Sequence, residues 1–268
     1  MNLNFSEEQL MLKEQIQKFC ESDYDFYKRE DVVKSKKDFD ENVWNLFAEQ
    51  GWLSMPFSEE SGGFGFGAIE LSILFEEFGK ALVIEPYLST VVLSGTILDK
   101  SSYSNKLDII ESICSGAMHV SLAYAESSNK YDYLNPVTNI NSENVLNGTK
   151  ALVLNGANAS KIIVSATSDS GFTLAIVDSN HDGVSITSFP TVDGQSCAEV
   201  SFENVVLGED SIIAQGDEAK ELLLDAINLA TLCISAEAVG CMTSCYLKTV
   251  EYTKGREQVD QPRSNFQV

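Results

Sequence analysis

The chain predicts an α+β fold: an N-terminal all-helical domain, a middle antiparallel β domain, and one long C-terminal helix that begins a further helical segment. Three observations predict it. The hydrophobic period is helical from Ser6 to about Gly116, becomes two from His119 to about Val206, and is helical again after Gly216. Clusters of Gly, Asn, Asp and Ser separate the period-two runs. The 268 residues, 44% hydrophobic, suffice for two or three domains with their own cores. The expected boundaries are 1–118, 119–214 and 215–268.

The first helix starts at a capping box, Ser6-Glu7-Glu8-Gln9, and carries Leu12, Ile16, Phe19 and Cys20 at helical spacing. A later helix repeats the pattern with Leu71, Leu74, Phe75 and Phe78 before Gly79. In the middle segment Val120/Leu122/Tyr124, Phe172/Leu174/Ile176 and Ala198/Val200/Phe202 alternate as strands do. Beyond Gly216, residues Ala219, Leu222, Leu223, Ala226 and Ile227 mark one long helix, without internal proline, to about Thr253. A lone helix with an unpartnered apolar face is marginal in water, so this one must pack on the first domain, on another chain, or on residues absent here.

Charge and cysteine usage narrow the function classes. Eighteen Lys and Arg against 40 Asp and Glu leave a net charge of −22, which repels polyanions and argues against nucleic acid. There is no unbroken apolar run of about 18 residues, and acidic Glu7 and Glu8 near the N-terminus do not fit a signal segment. The expected protein is soluble and cytoplasmic, with no membrane span. Cysteines 20, 114, 197, 233, 241 and 245 form no CxxC pair and are expected to be reduced core thiols.

Some tempting features have plain readings. Gly62-Gly63-Phe64-Gly65-Phe66-Gly67 lacks nucleotide-loop spacing and reads as a tight turn. His119 and His181 are far apart without a second ligand type at metal spacing, so no metal site is expected. Cys241 and Cys245, one helical turn apart beside Gly240, fit close helix packing. Glu76 and Glu77 are adjacent on a helix and read as surface charge. Arg256, at a helix C-terminus, would by itself read as a surface charge favoured by the helix dipole.

Five ordered strings carry a resemblance. Gly51-Trp52-Leu53 with Pro56, Glu59-Glu60 and Gly62-Gly63-Phe64-Gly65 is similar to a "GWxxxxxPxxxGGxG" loop. Ser121-Leu122-Ala123-Tyr124-Ala125-Glu126 is similar to an "AxTEP" strand, and Gly148-Thr149-Lys150 through Asn155-Gly156, with Ala159, to "GxKxWITNGxxA". Thr191 to Gln195, followed by Phe202-Glu203-Asn204-Val205, closes the β segment in the same pattern. Tyr252, Arg256, Gln258, Pro262 and Phe266-Gln267 follow "YxxxRxQFGxPxxxFQ", with Val259-Asp260 in place of Phe-Gly. Together these resemble the acyl-CoA dehydrogenase family across essentially the whole chain, with the C-terminal helical bundle truncated.

That resemblance implies FAD as cofactor. Removing a proton beside a thioester carbonyl needs a carboxylate base and donors to the oxygen, while the flavin accepts the hydride. Backbone groups of Leu122, Ala123, Tyr124 and Ala125 and of Leu152, Val153 and Leu154 are the implied flavin contacts. Arg256, whose planar fork can bind two oxygens at once, is implied at the pyrophosphate, with Gln258 and Gln267 as further cofactor contacts. In the family this arginine commonly reaches a flavin on the neighbouring subunit, so an oligomer, homomeric or heteromeric, is implied. The implied acceptor of electrons is an electron-transfer flavoprotein.

The chain also departs from the family. The threonine that meets the flavin corresponds to Ala125, the "GAGSD" loop is replaced by the shorter Ser127–Asp132, and the Trp and Thr of "WIT" become Leu152 and Leu154. Each hydrogen bond lost to a charged group costs roughly 1.5–3 kcal/mol, although backbone contacts survive these changes. The family's base lies on a segment past residue 268, or, in a minority, earlier on the arginine's helix at a place that falls on Ala230. Asp225 and Glu237 point to other faces of that helix, so no catalytic residue is assigned. The expected function is FAD-dependent 2,3-desaturation of an acyl-CoA thioester, with bulky acyl groups such as steroid side chains suggested by Glu85–Thr90 and the lost flavin contacts. The alternatives are a non-catalytic subunit that completes a partner's FAD site, and a truncated, inactive fragment.

Overall fold

The computed structural model describes residues 4–35, 37–129, 131–258, 261, 262 and 264. The chain divides into two compact units, one of residues 1–29, 68–83 and 232–268, the other of residues 30–67 and 84–231.

The first unit is helical. Helix α1 (Glu7–Ser22) begins at the expected capping box, in which Ser6 Oγ accepts from Gln9 N–H and Gln9 Oε1 accepts from Ser6 N–H. Leu12, Ile16 and Phe19 are buried where α1 packs along α4 (Ala68–Ala81), whose Leu71, Leu74, Phe75 and Phe78 are buried too. The long helix α7 (Gly216–Gly255) contributes its second half to this unit. It crosses α4 at two glycines. A Cβ at Gly240 would lie 1.9 Å from Glu76 O, and one at Gly79 would lie 2.0 Å from Glu237 O. Cys241 donates its thiol to Gly79 O at 3.1 Å, so the packing reading of Gly240 and Cys241 holds, while Cys245 is exposed.

The surface reading of Glu76 and Glu77 is corrected here. Glu77 is buried, 2.8 Å from Lys80 Nζ and 3.5 Å from Lys13 Nζ, and Glu76 shares both lysines at 3.0 and 3.8 Å. Burial opposes the charge on Lys80, but Glu77 and Glu76 together hold its ammonium above the usual pKa. Two lysines between two adjacent carboxylates remove the repulsion that would otherwise send one of them to solvent.

The second unit joins short helices to a sheet. Its helices are α2 (Phe26–Lys34), which starts in the first unit, α3 (Glu41–Glu49), a π-helical turn (Leu88–Ser94), α5 (Gly95–Lys100) and α6 (Lys106–Cys114). The glycine loop is the expected turn: Gly62 and Gly65 take positive φ, and a Cβ at Gly63 would sit 2.2 Å from Phe57 O. His119 lies between the rings of Phe39 and Trp44, at 4.9 and 4.7 Å, and burial pushes its pKa down to about 4, so it is neutral.

The sheet comprises β1 (Val120–Ala123), β2 (Asn139–Ile140), β3 (Val145–Leu154), β4 (Lys161–Ser168), β5 (Gly171–Asp178), β6 (Val184–Pro190), β7 (Ser196–Val206) and β8 (Ile212–Gln215). The order is β6-β7-β3-β2-β4-β5-β8, with β1 beside β4. Most ladders are antiparallel as expected, but β1 and β2 run parallel to β4. Parallel neighbours need a crossover, which the stretch containing the β2–β3 hairpin supplies for β1. Strand β5 is buried at six consecutive positions, because both of its faces are covered.

Helix α7 is the most apolar long element among the described residues. No unbroken apolar run of about 18 residues occurs in it, yet α7 contains an 18-residue window of mean hydropathy 1.7, long and apolar enough by length and composition alone to cross a membrane. Its Ala219, Leu222, Leu223, Ala226, Ala230 and Cys233 are buried against protein. Burial, followed by the charge of Glu237, pushes the Cys233 thiol up to about 12, in keeping with an unreactive core thiol.

Candidate functional site

The two segments expected to face a flavin come together in the second unit. All four residues of β1 are buried, so the side chains of Leu122 and Ala123 fill the core, and only their backbone is left to serve a ligand. Past the strand the chain opens: Tyr124 and Ala125 are half-buried, and Tyr124 meets Tyr133 edge-on at 5.9 Å. Burial, then Tyr133, raises the Tyr124 phenol above its usual pKa.

Ala125 O accepts the N–H of Ala151 at 2.9 Å, joining this segment to β3. At that point β3 bulges. Lys150 faces Val200 and Val153 faces Ala198, so β3 takes three steps where β7 takes two, one extra residue. The bulge leaves Leu152 47% exposed and turns Val153 fully inward, with Leu154 half-buried. An exposed apolar side chain at a bulge, beside backbone held on both sides, suits the edge of a flat apolar ring.

Behind the bulge lies a polar lock that strand patterning alone did not reveal. Lys150, fully buried, donates from Nζ to Glu126 Oε1 at 2.8 Å and to Ser165 Oγ at 3.0 Å. Glu126 Oε1 also accepts Thr138 N–H at 3.0 Å, and its Oε2 accepts Val137 N–H at 2.7 Å. Burial alone would raise the Glu126 carboxyl, yet the donors from Lys150, Thr138 and Val137 hold it down at about 2. Burial pulls Lys150 to about 8 despite Glu126. A cleft of about 250 Å³ opens beside the lock, lined by Glu126, Ser127, Ser128, Thr138, Gly148 and Thr149 among others.

Arg256 belongs to the other unit, where it is exposed at the end of α7. Its guanidinium lies 5.5 Å from the Tyr252 ring and hydrogen-bonds the Tyr252 hydroxyl, so most of its donors are turned outward. Those donors suit a diphosphate. Gln258 is placed by its backbone alone, in a short strand paired with Gln261–Pro262, while its side chain and all of Gln267 lie outside the described residues. Ala230 is buried, and Asp225 is paired with Lys100 at 2.7 Å. Among the described residues no group of three or more His, Cys, Asp or Glu is placed to hold a metal ion.

Residues 6–117 match the acyl-CoA dehydrogenase N-terminal domain and residues 121–205 the acyl-CoA dehydrogenase middle domain. The mitochondrial isovaleryl-CoA dehydrogenase of Arabidopsis thaliana is 26% identical over 99% of this chain and 68% of its own length. Among solved structures, a chain of the ChsE4-ChsE5 complex from Mycobacterium tuberculosis superposes with a TM-score of 0.88 at 24% identity, covering 99% of this chain and 72% of that one. PigA with FAD and proline gives 0.90 at 21% identity, covering 100% of this chain and 73% of that one. At these identities the structural likeness is one of fold, and the chain spans about two thirds of its Arabidopsis relative. Two domain matches in order, over the helical and β segments that hold four of the five strings above, show that the chain belongs to the acyl-CoA dehydrogenase family of oxidoreductases.

Proposed function

We propose that this chain belongs to an FAD-dependent acyl-CoA dehydrogenase and supplies the β surface against which the isoalloxazine lies. The observation that carries the reading is the β3 bulge, which joins Ala151 to Ala125 and turns Leu152 outward. The bound flavin would supply the hydride acceptor. This chain's part is to hold the ring through backbone groups of residues 122–125 and 152–154, and to offer Arg256, alongside Gln258 and Gln267, to the diphosphate of a flavin on a neighbouring subunit. Side-chain hydrogen bonds are scarce at the ring, because Ala125, Leu152 and Leu154 are apolar. Backbone groups, which no side-chain substitution removes, would therefore bear most of the binding.

Protein purified from its own cells is expected to be yellow and to bleach when an acyl-CoA is added under anaerobic conditions, with electrons passing on to an electron-transfer flavoprotein. A bulky acyl group is the proposed substrate class, and the protein is proposed to act in the cytoplasm as an oligomer. Colourless protein in the presence of every co-purifying partner would refute this.

A second reading, a subunit that completes the FAD site of a different chain without performing the chemistry itself, is favoured by Ala230. This buried, non-ionisable residue stands at the one place on the arginine's helix where a base would fall. On that reading flavin binding and bleaching appear only when a second, longer chain co-purifies.

A further inference from the structure

We infer that Glu126 and Lys150 form a positioning pair for the flavin surface, a role that rests on the proposed function. The pair sits immediately behind both ligand-facing segments. Glu126 follows Ala125, Lys150 precedes Ala151, and the Ala151 N–H to Ala125 O bond of 2.9 Å closes the square. The two side chains are bound at 2.8 Å with almost no exposure, 0% for Lys150 and 4% for Glu126. Lys150 is closed off from solvent, while Glu126 reaches only the edge of the cleft beside it.

Each residue holds a second element as well. Lys150 reaches Ser165 on β4, the strand that pairs with β1 from Val120↔Lys161 to Ala123↔Val164. Glu126 takes the backbone N–H groups of Val137 and Thr138, which return the 127–136 loop to the sheet, and it lies 3.5 Å from Asn129 Nδ2 inside that loop. One buried ion pair therefore fixes four things at once: the end of β1, the bulge of β3, the face of β4 and the base of the loop. The bulge requires such a lock. One extra residue in β3 leaves its register with β7 free to relax between Lys150 and Val153, and Leu152 can stay outward only while Lys150 is held inward.

The chemistry of the pair separates positioning from mere stability. Replacing both ions with apolar residues of similar size removes the buried charges together and restores packing. It does not restore the acceptors for Val137 and Thr138 N–H, nor the tie to Ser165. Part of the stability thereby returns in a variant whose geometry does not.

The test compares wild type, K150M and the double variant E126L/K150M, in the protein together with any co-purifying partner. Urea denaturation gives stability, and titration of FAD into deflavinated protein, followed by flavin fluorescence, gives affinity. The expected result is that K150M loses both, while E126L/K150M recovers part of the stability, the unpaired N–H of buried Thr138 holding it below wild type, yet binds FAD about ten-fold more weakly or worse, as misplacement of a ligand-facing segment does. The visible band of the residual bound flavin is expected to shift, reporting a changed ring environment. If E126L/K150M binds FAD as wild type does and with an unshifted spectrum, the pair is only structural and the inference is overturned. If wild type itself takes up no FAD, the proposed function fails first and the inference with it, which distinguishes the two failures.

Discussion

A lysine with no exposed surface in the middle of a β domain is tolerable only while its partner stays ionised, and Lys150 relies on Glu126 for this. Removing one member strands the other, so Lys150→Met is expected to cost about 3–5 kcal/mol in urea denaturation, part of it recovered in E126L/K150M. The pair also sets an acid limit. The Glu126 pKa falls from 4.5 to about 2 on folding, so its contribution is complete above pH 4.5 and drains away as the pH drops toward 2. Glu126→Gln should flatten that part of the stability profile, as followed by circular dichroism from pH 6 to pH 2. Both residues stood in the strings that gave the family, yet nothing in the strings marked them as partners. Strict alternation from Lys150 puts Leu152 on the same inward face, and only the bulge reverses Leu152 and Val153. A bulge is set by cross-strand register, which one strand's residues do not encode. Glu77 was missed for a related reason: besides Lys80 it is met by Lys13 and Gln17 of α1, far away in sequence.

At the scale of elements, the helices were the most legible parts. The Ser6 capping box, the α4 pattern and the long run of α7 all follow from local spacing, and local spacing is what a helix needs. Strands β1 and β5 were found but their neighbours were not, because parallel pairing to β4 and burial on both faces depend on elements brought together from elsewhere in the chain. The α4–α7 crossing shows the same limit from the opposite side. Gly240 was read as a packing residue from its surroundings, while its partner Gly79 was seen as nothing more than a helix end. With backbone oxygens 1.9 and 2.0 Å from where a Cβ would stand, neither site admits a side chain without parting the helices. Gly240→Val is expected to destabilise by about 3 kcal/mol or more, beyond ordinary overpacking because the obstacle is backbone. Gly255, with nothing within 4 Å, is the control, and its replacement by Ala should leave the melting temperature nearly unchanged. Differential scanning calorimetry of the two variants checks both expectations.

For the molecule as a whole, two properties of the chain oppose each other. A net charge of −22 makes copies repel, and this repulsion reaches about 10 Å in 0.1 M salt and about 30 Å in 0.01 M. Meanwhile α7 exposes Leu232, Val239 and Tyr246 at seven-residue spacing, with Met242 between the last two, along one face of the helix. Apolar contact acts at short range and is not weakened by salt, whereas the charge barrier is screened by it. Association of this chain by itself should therefore rise with ionic strength, the reverse of an assembly held by ion pairs. Sedimentation velocity at 0.02 M and 0.5 M NaCl is expected to show mainly monomer at the lower salt and larger species at the higher. Val239→Glu with Met242→Glu should abolish the increase, because it places charge on the apolar stripe without touching the buried side that carries Cys233 and Gly240. Association that instead weakens with salt, or that survives the double substitution, would place the contact on another surface and leave the α7 stripe without a role in assembly.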